Sequence, residues 1–133
     1  RNQEKSLVFL YRRKSFSEYL KRADVYEFLN AYGYESSEPE AMLEHLSERV
    51  CQYSDGKICF PHEIGAFLDY PIDDVKCFIE KDGKDSLFSG YWKVYNNPGR
   101  AKLIFWAYDK AKTSAVNEYL VGKSIRDIAC IAA

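Results

Sequence analysis

A dense run of residues that could do acid–base chemistry or bind a ligand lies at 60–75, FPHEIGAFLDYPIDDV. His62 can act as an acid or a base near neutral pH, with the neighbouring Glu63 as its partner. Adjacent helical residues point about 100° apart, however, and Ala66 stands where an HExxH metal motif needs its second His. The alternative interpretation is structural: Glu63 complements a helix dipole, and His62 bonds neighbouring backbone.

A second candidate is LFSGYWKVY (87–95), which turn sequences bound on both sides and which predicts a single strand. Alternation along a strand places Tyr91, Lys93 and Tyr95 on one face. A Lys between two Tyr could hold an anion in a cleft, and a helix start such as PHEIG also favours anions. The alternative is a half-exposed face on which the Lys side chain reaches solvent.

The prolines of the first stretch favour helix starts. Pro61 and Pro71 suit first-turn positions, and Asp73 and Asp74 then lie where the helix dipole favours acids. The stretch therefore predicts two short helices around a corner at Tyr70, which joins the candidate ligand-binding residues. Two aspartates at the start of the second helix would repel phosphates, which argues against a DNA-reading helix.

The cysteines favour free thiols over a disulfide framework, because they are few and scattered. A metal site built from Cys51, Cys59 and His62 is the alternative. The chain has no CxxC pair, and this spacing matches no standard zinc motif. We therefore expect no metal and no other cofactor.

An apolar pair indicates a surface for partners. On a helix predicted over 101–120, Leu103 and Trp106 lie opposite the continuous apolar stripe. An exposed Leu-Trp pair is typical of a subunit interface, such as that of a homodimer, or of a surface that another segment covers. Packing against the N-terminal strand or helix is the alternative.

Composition excludes several classes of protein. The chain has 133 residues, 47% of them hydrophobic and 16% aromatic, which predicts one compact domain over residues 1–133. No apolar run approaches the ~18 residues of a membrane span, and the first residues do not resemble a signal peptide, so we expect a cytoplasmic protein without membrane contact. Residues 1–22 carry seven basic and two acidic side chains, but the only compact basic cluster is RRK at 12–14. Nucleic-acid binding is therefore not expected.

The elements that must position these residues indicate an α+β fold, with α/β as the alternative. SLVFLYR (6–12) is apolar on both faces, which is typical of a buried central strand. With 87–95 it predicts a small mixed sheet of about three strands if the apolar tail at 128–133 supplies the third strand; the alternative for the tail is a last helical turn. Five or six helices flank that sheet, each with an apolar stripe such as Met42, Leu46 and Val50.

Two of these motifs carry a resemblance to a known family. PHEIGAFLDYPIDDVKCFIE followed by GYWKVY resembles an uncharacterised family of bacterial proteins, found mainly in anaerobic Gram-positive species. Its members read approximately FPHEIGxFLGYPxxDVxGFI, then GYWKVY, then a helix with AxxxFxxY, which Ala101, Phe105 and Tyr108 match here. The resemblance covers most of the chain from about Leu7 onward.

The resemblance implies little chemistry, because the family is catalogued as a domain of unknown function. Asp69 and Cys77 stand where members usually have Gly. An Asp tolerates left-handed backbone geometry better than most residues, so we expect the corner to survive. Members also tend to carry a segment before the first strand, with a Cys and a Gly-Ile-Lys-Pro-like run, and we expect this chain to lack it.

Three hypotheses for the function follow. The first is a small-ligand binding or regulatory domain, with an anionic ligand in a cleft between the PHEIG helix start and the GYWKVY strand. The second is an enzyme with His62 as acid–base, Glu63 as its partner and Lys93 as electrostatic stabiliser. The third is an interaction module that uses Leu103 and Trp106. Binding is favoured over catalysis, because the sequence shows no set of nucleophile, base and orienting group.

Overall fold

The computed structural model describes residues 8–131, with the side chains of 130 and 131 left out of the description. Helices dominate this part of the chain, and a short β-hairpin interrupts them. The elements in chain order are α1 (Arg13–Leu20), α2 (Ala23–Asn30), α3 (Pro39–Ser54), α4 (Ile64–Phe67), α5 (Ile72–Lys81), β1 (Phe88–Ser89), β2 (Lys93–Val94), α6 (Pro98–Leu120) and α7 (Ile125–Ile131).

The chain divides into two compact units. Arg1–Lys84, here called the helical unit, contains α1 to α5. Asp85–Ala133, the hairpin unit, contains β1, β2, α6 and α7. None of the helices among the described residues is both long enough and apolar enough to cross a membrane.

The core of the helical unit forms where the apolar stripes of its helices meet. Leu20, Val25 and Leu29 are fully buried, and Met42 from α3 packs with them. Phe67 of α4 and both Ile72 and Val75 of α5 complete the same cluster. Side chains at helical spacing on five short helices therefore provide one shared apolar interior.

The hairpin unit is built around the ring of Phe105 on α6. Phe88, Tyr91 and Trp92 of the hairpin lie with their ring centroids 5.8, 5.5 and 4.6 Å from that ring. A Cβ added to Gly90 would lie 2.3 Å from Cε2 of Phe105, so only glycine lets the turn approach the ring so closely. Gly90 therefore marks a close approach between the turn of the hairpin and the side chain of Phe105.

The class α+β is confirmed only coarsely, because the sheet is smaller than predicted. Two antiparallel strands form it, with Phe88 opposite Val94 and Ser89 opposite Lys93. The prediction of one strand over 87–95 is wrong: the chain reverses at residues 90–92, where the N–H of Gly90 donates to the carbonyl of Trp92 at 3.0 Å. The mixed three-stranded sheet is therefore wrong as well.

The other two predicted strands are also absent from the described residues. Residues 8–12 have no regular structure, with Val8 79% and Leu10 87% exposed, while residues 6 and 7 lie outside the described range. The tail forms helix α7, up to Ile131, so the helical alternative for this segment is confirmed and the strand is not. An apolar run becomes a strand only where a neighbouring strand accepts its backbone hydrogen bonds, and sequence patterning does not identify that neighbour.

Candidate functional site

A buried charged network lies at the centre of the helical unit. Glu63 is 0% exposed, yet it carries a carboxylate. Arg49 donates to it from Nε and, at 3.4 Å, from Nη2, and the hydroxyl of Tyr34 donates to Oε2 at 3.1 Å. A buried carboxylate needs a cation and hydrogen-bond donors, because burial alone strongly disfavours the charged form. Arg49 and Tyr34 supply both.

Three separate segments bring this network together. Gly33, at φ +90°, ends the turn after α2 and leads into Tyr34, whose side chain is 1% exposed. Arg49 lies on α3, one turn beyond the buried Leu46. Glu63 is the residue before α4, and its side chain makes no capping bond to that helix. Glu63 therefore contacts residues that are distant in the sequence, and the helix-dipole interpretation of Glu63 does not account for these contacts.

The pKa values of Tyr34 and Arg49 are both shifted in the direction that keeps these residues paired with Glu63. Burial, and then the charge of Glu63, raise the pKa of Tyr34 above its usual value. The hydrogen bond to Glu63 raises the pKa of Arg49. Tyr34 therefore remains a protonated donor and Arg49 a cation over the whole physiological pH range.

Two other residues of PHEIG, Pro61 and Gly65, have packing roles of their own. Pro61 is buried and opens a turn that precedes α4, because its carbonyl accepts from the N–H of Ile64 at 3.0 Å. Gly65 is buried between α4 and α5, where an added Cβ would lie 3.1 Å from Val75 and 3.2 Å from Tyr70. Its missing side chain allows the two helices to pack closely.

His62 is the exposed member of the motif and stands apart from the charged network. Its ring lies among aromatic neighbours, 5.2 Å from the ring of Phe60 and 5.0 Å from that of Phe78. Glu63, its predicted partner, is already bound by Arg49 and Tyr34. The adjacent pair, in the turn before α4, thus splits into one buried and one exposed side chain.

The corner between α4 and α5 has the geometry expected from the sequence. Asp69 adopts φ 61°, in the left-handed region that glycine enters most readily, so the expectation that Asp preserves this turn is confirmed. Tyr70 donates its N–H to the carbonyl of Gly65 at 3.1 Å and is partly buried against the core. Pro71 precedes α5 as its N-cap, and Asp73 lies in the first turn.

A surface groove of about 310 Å³ lies between α2 and α5. Its lining combines an apolar and aromatic part with a charged part. The lining residues are Glu27, Phe28, Ala31 and Tyr32 from α2 and the turn that follows it, and Lys76, Ile79 and Glu80 from α5. The volume is near the lower limit of typical ligand pockets, which suits a small molecule.

Tyr32 connects this groove to the buried network. The guanidinium carbon of Arg49 lies 5.9 Å from the centroid of the Tyr32 ring, within the range of a cation–π contact. The carbonyl of Tyr32 lies 3.3 Å from Nε2 of His45, whose ring packs edge-on against Tyr34 at 4.5 Å. Glu63 therefore helps to hold one wall of the groove through Arg49.

The candidate residues of the hairpin unit are not arranged as one strand face. Tyr91 lies in the turn, where its hydroxyl donates to Asp109 of α6 at 2.6 Å, and this hydrogen bond raises the pKa of Tyr91. Lys93 is exposed on β2 opposite Ser89, and Tyr95 follows that strand half-buried. The hairpin separates Tyr91 from Lys93 and Tyr95, and ligand binding by these three residues stays a prediction.

Leu103 and Trp106 both lie on the exposed side of α6. Leu103 is 70% exposed and Trp106 62% exposed. The ammonium of Lys110 lies 5.1 Å from the centroid of the Trp106 ring. Their use as an interface stays a prediction.

The part of the chain that the structure describes contains no cluster of side chains suited to bind a metal ion. No group of three or more His, Cys, Asp or Glu side chains there could hold an ion, and this includes Cys51, Cys59 and His62. Cys51, Cys59 and Cys77 are free thiols.

Sequence reasoning missed Arg49, Tyr34 and the groove. A signal for Arg49 was present: it follows Met42 and Leu46 at helical spacing, which places it beside the buried stripe of α3. A basic residue on an apolar face indicates a buried acidic partner. No comparable signal marks Tyr34 or the groove, because both depend on how separate helices pack.

Comparison with known proteins identifies a family without a function. A family described as a protein of unknown function, DUF3793, matches residues 1–129. The chain belongs to the DUF3793 family. A search of curated proteins and a search of solved structures each found no match. Any function of this DUF3793 protein must therefore be argued from its own geometry.

Proposed function

We propose that this DUF3793 protein is a small-ligand binding domain and that the groove between α2 and α5 is its binding site. The observation that supports the proposal is the groove itself, about 310 Å³ in volume, with an apolar and aromatic lining beside charged side chains. Pockets of this composition bind small molecules through apolar burial and use a few polar groups for orientation.

The packing beneath the groove favours binding over catalysis. Tyr32 is held by contacts to Arg49 and His45, so one wall of the groove is preorganised by the network around Glu63. A preorganised wall lowers the entropic cost of binding. The enzyme hypothesis requires Glu63 to orient or activate His62, and Glu63 is instead buried and engaged by two other side chains.

The test is to fill the groove. Ala31 is exposed and lines the groove, so Ala31→Trp should block it, while Ala41→Trp adds the same bulk on an exposed position of α3. The neutral aromatic probe 3-phenylpropanol is titrated into isotope-labelled protein, and amide NMR shifts are followed. We expect saturable shifts in α2 and α5 for the native chain and for Ala41→Trp, and their loss in Ala31→Trp.

Two results would overturn this proposal. One is the absence of saturable shifts in α2 and α5 at millimolar probe. The other is binding that survives unchanged in Ala31→Trp. Shifts centred on His62, Lys93 and Tyr95 would return support to the hypothesis of an anion site at these residues.

A second candidate function is self-association through α6, which the exposure of Leu103 and Trp106 favours. Sedimentation velocity over a range of concentrations tests it. A concentration-dependent dimer that Trp106→Ala abolishes would support the candidate. A monomer at all concentrations, or a dimer indifferent to Trp106→Ala, would exclude it.

A further inference from the structure

The geometry points to a zwitterionic ligand in the groove: an apolar α-amino acid whose ammonium group contacts Glu27 and Glu80 and whose carboxylate contacts Lys76. This inference rests on the proposed function and names the chemical class of its ligand. It concerns the charged side of the groove, whereas the proposed function depends on the apolar side.

The charged side chains of the groove are available to a ligand. Glu27 lies on α2, while Lys76 and Glu80 lie one helical turn apart on α5. Among the described residues, none of these three takes part in an ion pair within 4.0 Å. Two carboxylates and one ammonium therefore border the same groove without neutralising one another.

This combination of charges selects among ligand classes. A simple anion would find one Lys but two repelling carboxylates, and a neutral apolar molecule would desolvate charged groups without replacing their hydrogen bonds. A simple cation would satisfy the carboxylates and leave Lys76 unmatched. A zwitterion satisfies all three groups, so we expect it to bind more tightly than the cation and much more tightly than the anion.

The apolar lining determines which amino acids would fit. The rings of Phe28 and Tyr32 lie 5.2 Å apart with an angle of 55° between their planes, and Ile79 faces them from α5. Ala31 also lines the groove, and its side chain is small. A single aromatic or branched aliphatic side chain suits this lining, and the volume of about 310 Å³ suits one amino acid better than a long peptide.

A matched series of probes tests the charges one at a time. L-phenylalanine, phenethylamine and 3-phenylpropionate carry similar rings and differ in their charged groups, and L-phenylalaninamide represents the N-terminal residue of a peptide. Each is titrated into the isotope-labelled full chain, and affinities are taken from the amide shifts of α2 and α5. We expect phenylalanine to bind most tightly, with a loss of about two- to five-fold for each missing charge contact, as for exposed ion pairs.

Charge variants assign each contact. Lys76→Gln should remove the advantage of phenylalanine over phenethylamine and leave the affinity for phenethylamine unchanged. Glu80→Gln should weaken both amines and leave 3-phenylpropionate unaffected or slightly strengthened. Lys57→Gln and Glu44→Gln, at exposed positions outside the groove, are the matched controls and should change nothing.

The outcomes separate the inference from the proposed function. Equal affinities for the four charged probes and for neutral 3-phenylpropanol, all at the groove, would overturn the zwitterion and leave the binding function intact. Tighter binding of 3-phenylpropionate than of phenethylamine would also overturn it. Phenylalaninamide as tight as phenylalanine would refute the Lys76 contact and indicate a peptide N-terminus. Absence of any shift at the groove would overturn the proposed function as well.

Discussion

Removal of Arg49 should destabilise the helical unit more than removal of any exposed arginine. In Arg49→Met the aliphatic part of the side chain is kept, while the cation that faces Glu63 is lost. The Glu63 side chain is 1% exposed, so its carboxylate would keep the hydroxyl of Tyr34 as a donor but would have no positive partner.

The size of the effect follows from the burial of the pair. Breaking a buried ion pair on one side costs about 3–5 kcal/mol, because the remaining charge is left uncompensated. The Arg49 side chain is 23% exposed, so water can reach part of the vacated site, and we expect the lower end of the range, about 3 kcal/mol. The pair Arg13 and Glu40 is exposed on both sides, at 66% and 58%, so Arg13→Met should cost at most about 1 kcal/mol.

The assay is urea unfolding followed by far-ultraviolet circular dichroism. Tryptophan fluorescence does not suit this purpose, because both tryptophans, Trp92 and Trp106, lie in the hairpin unit. Arg49→Met combined with Glu63→Gln closes a double-mutant cycle, and the double variant should be more stable than Arg49→Met because the buried charge is gone. If Arg49→Met costs no more than Arg13→Met, the network does not stabilise the fold and our account of Glu63 is refuted.

Two further predictions concern Gly65 of the PHEIG motif and Tyr34, whose hydroxyl donates to Glu63. Gly65→Ala would place a methyl group 3.1 Å from Val75 and 3.2 Å from Tyr70, so we expect the free energy of unfolding in urea to fall by about 1–3 kcal/mol. Gly99→Ala is the control: an added methyl group there has nothing within 4 Å and should stabilise its helix by up to about 1 kcal/mol. Equal effects of the two substitutions would contradict the packing role of Gly65. The raised pKa of Tyr34 means that the folded state keeps the phenol protonated, so its contribution to stability is complete below the unfolded pKa of about 10 and declines above it. The free energy of unfolding should therefore fall above about pH 10, by up to about 1.4 kcal/mol per pH unit for this residue. Tyr34→Phe should reduce that slope, and an unchanged slope would show that this hydroxyl is not protected.

Local signals in the sequence were sufficient for most of the helices. The stripe Met42, Leu46 and Val50 predicted α3, and the structure has Met42 and Leu46 buried with Val50 packed against them. Pro71 with Asp73 marked the beginning of α5 to within one residue. Such signals work because capping, dipole and amphipathic spacing act within one or two turns of the same chain segment.

The strands could not be predicted in the same way. The sequence predicted strands at both 8–12 and 87–95. Only residues 87–95 form strands, and they do so as a hairpin that turns at Gly90. Apolar alternation predicts which side chains are buried but not which strands pair. The turn at Gly90 also depends on the ring of Phe105, fifteen residues further along the chain.

For the candidate site, the sequence by itself determined that a short helix follows Pro61, that a tight corner follows this helix, and that Asp69 would accept left-handed geometry there. The helix begins at Ile64, however, three residues later than Pro61 predicted. Only the tertiary structure decided that Glu63 is buried while His62 is exposed, and that Arg49 and Tyr34 are its partners. The physical reason is that a charge can be buried only where distant segments supply a cation and donors together. The groove between α2 and α5 has the same origin, since its two walls are separated by more than forty residues of chain and meet only when the core forms.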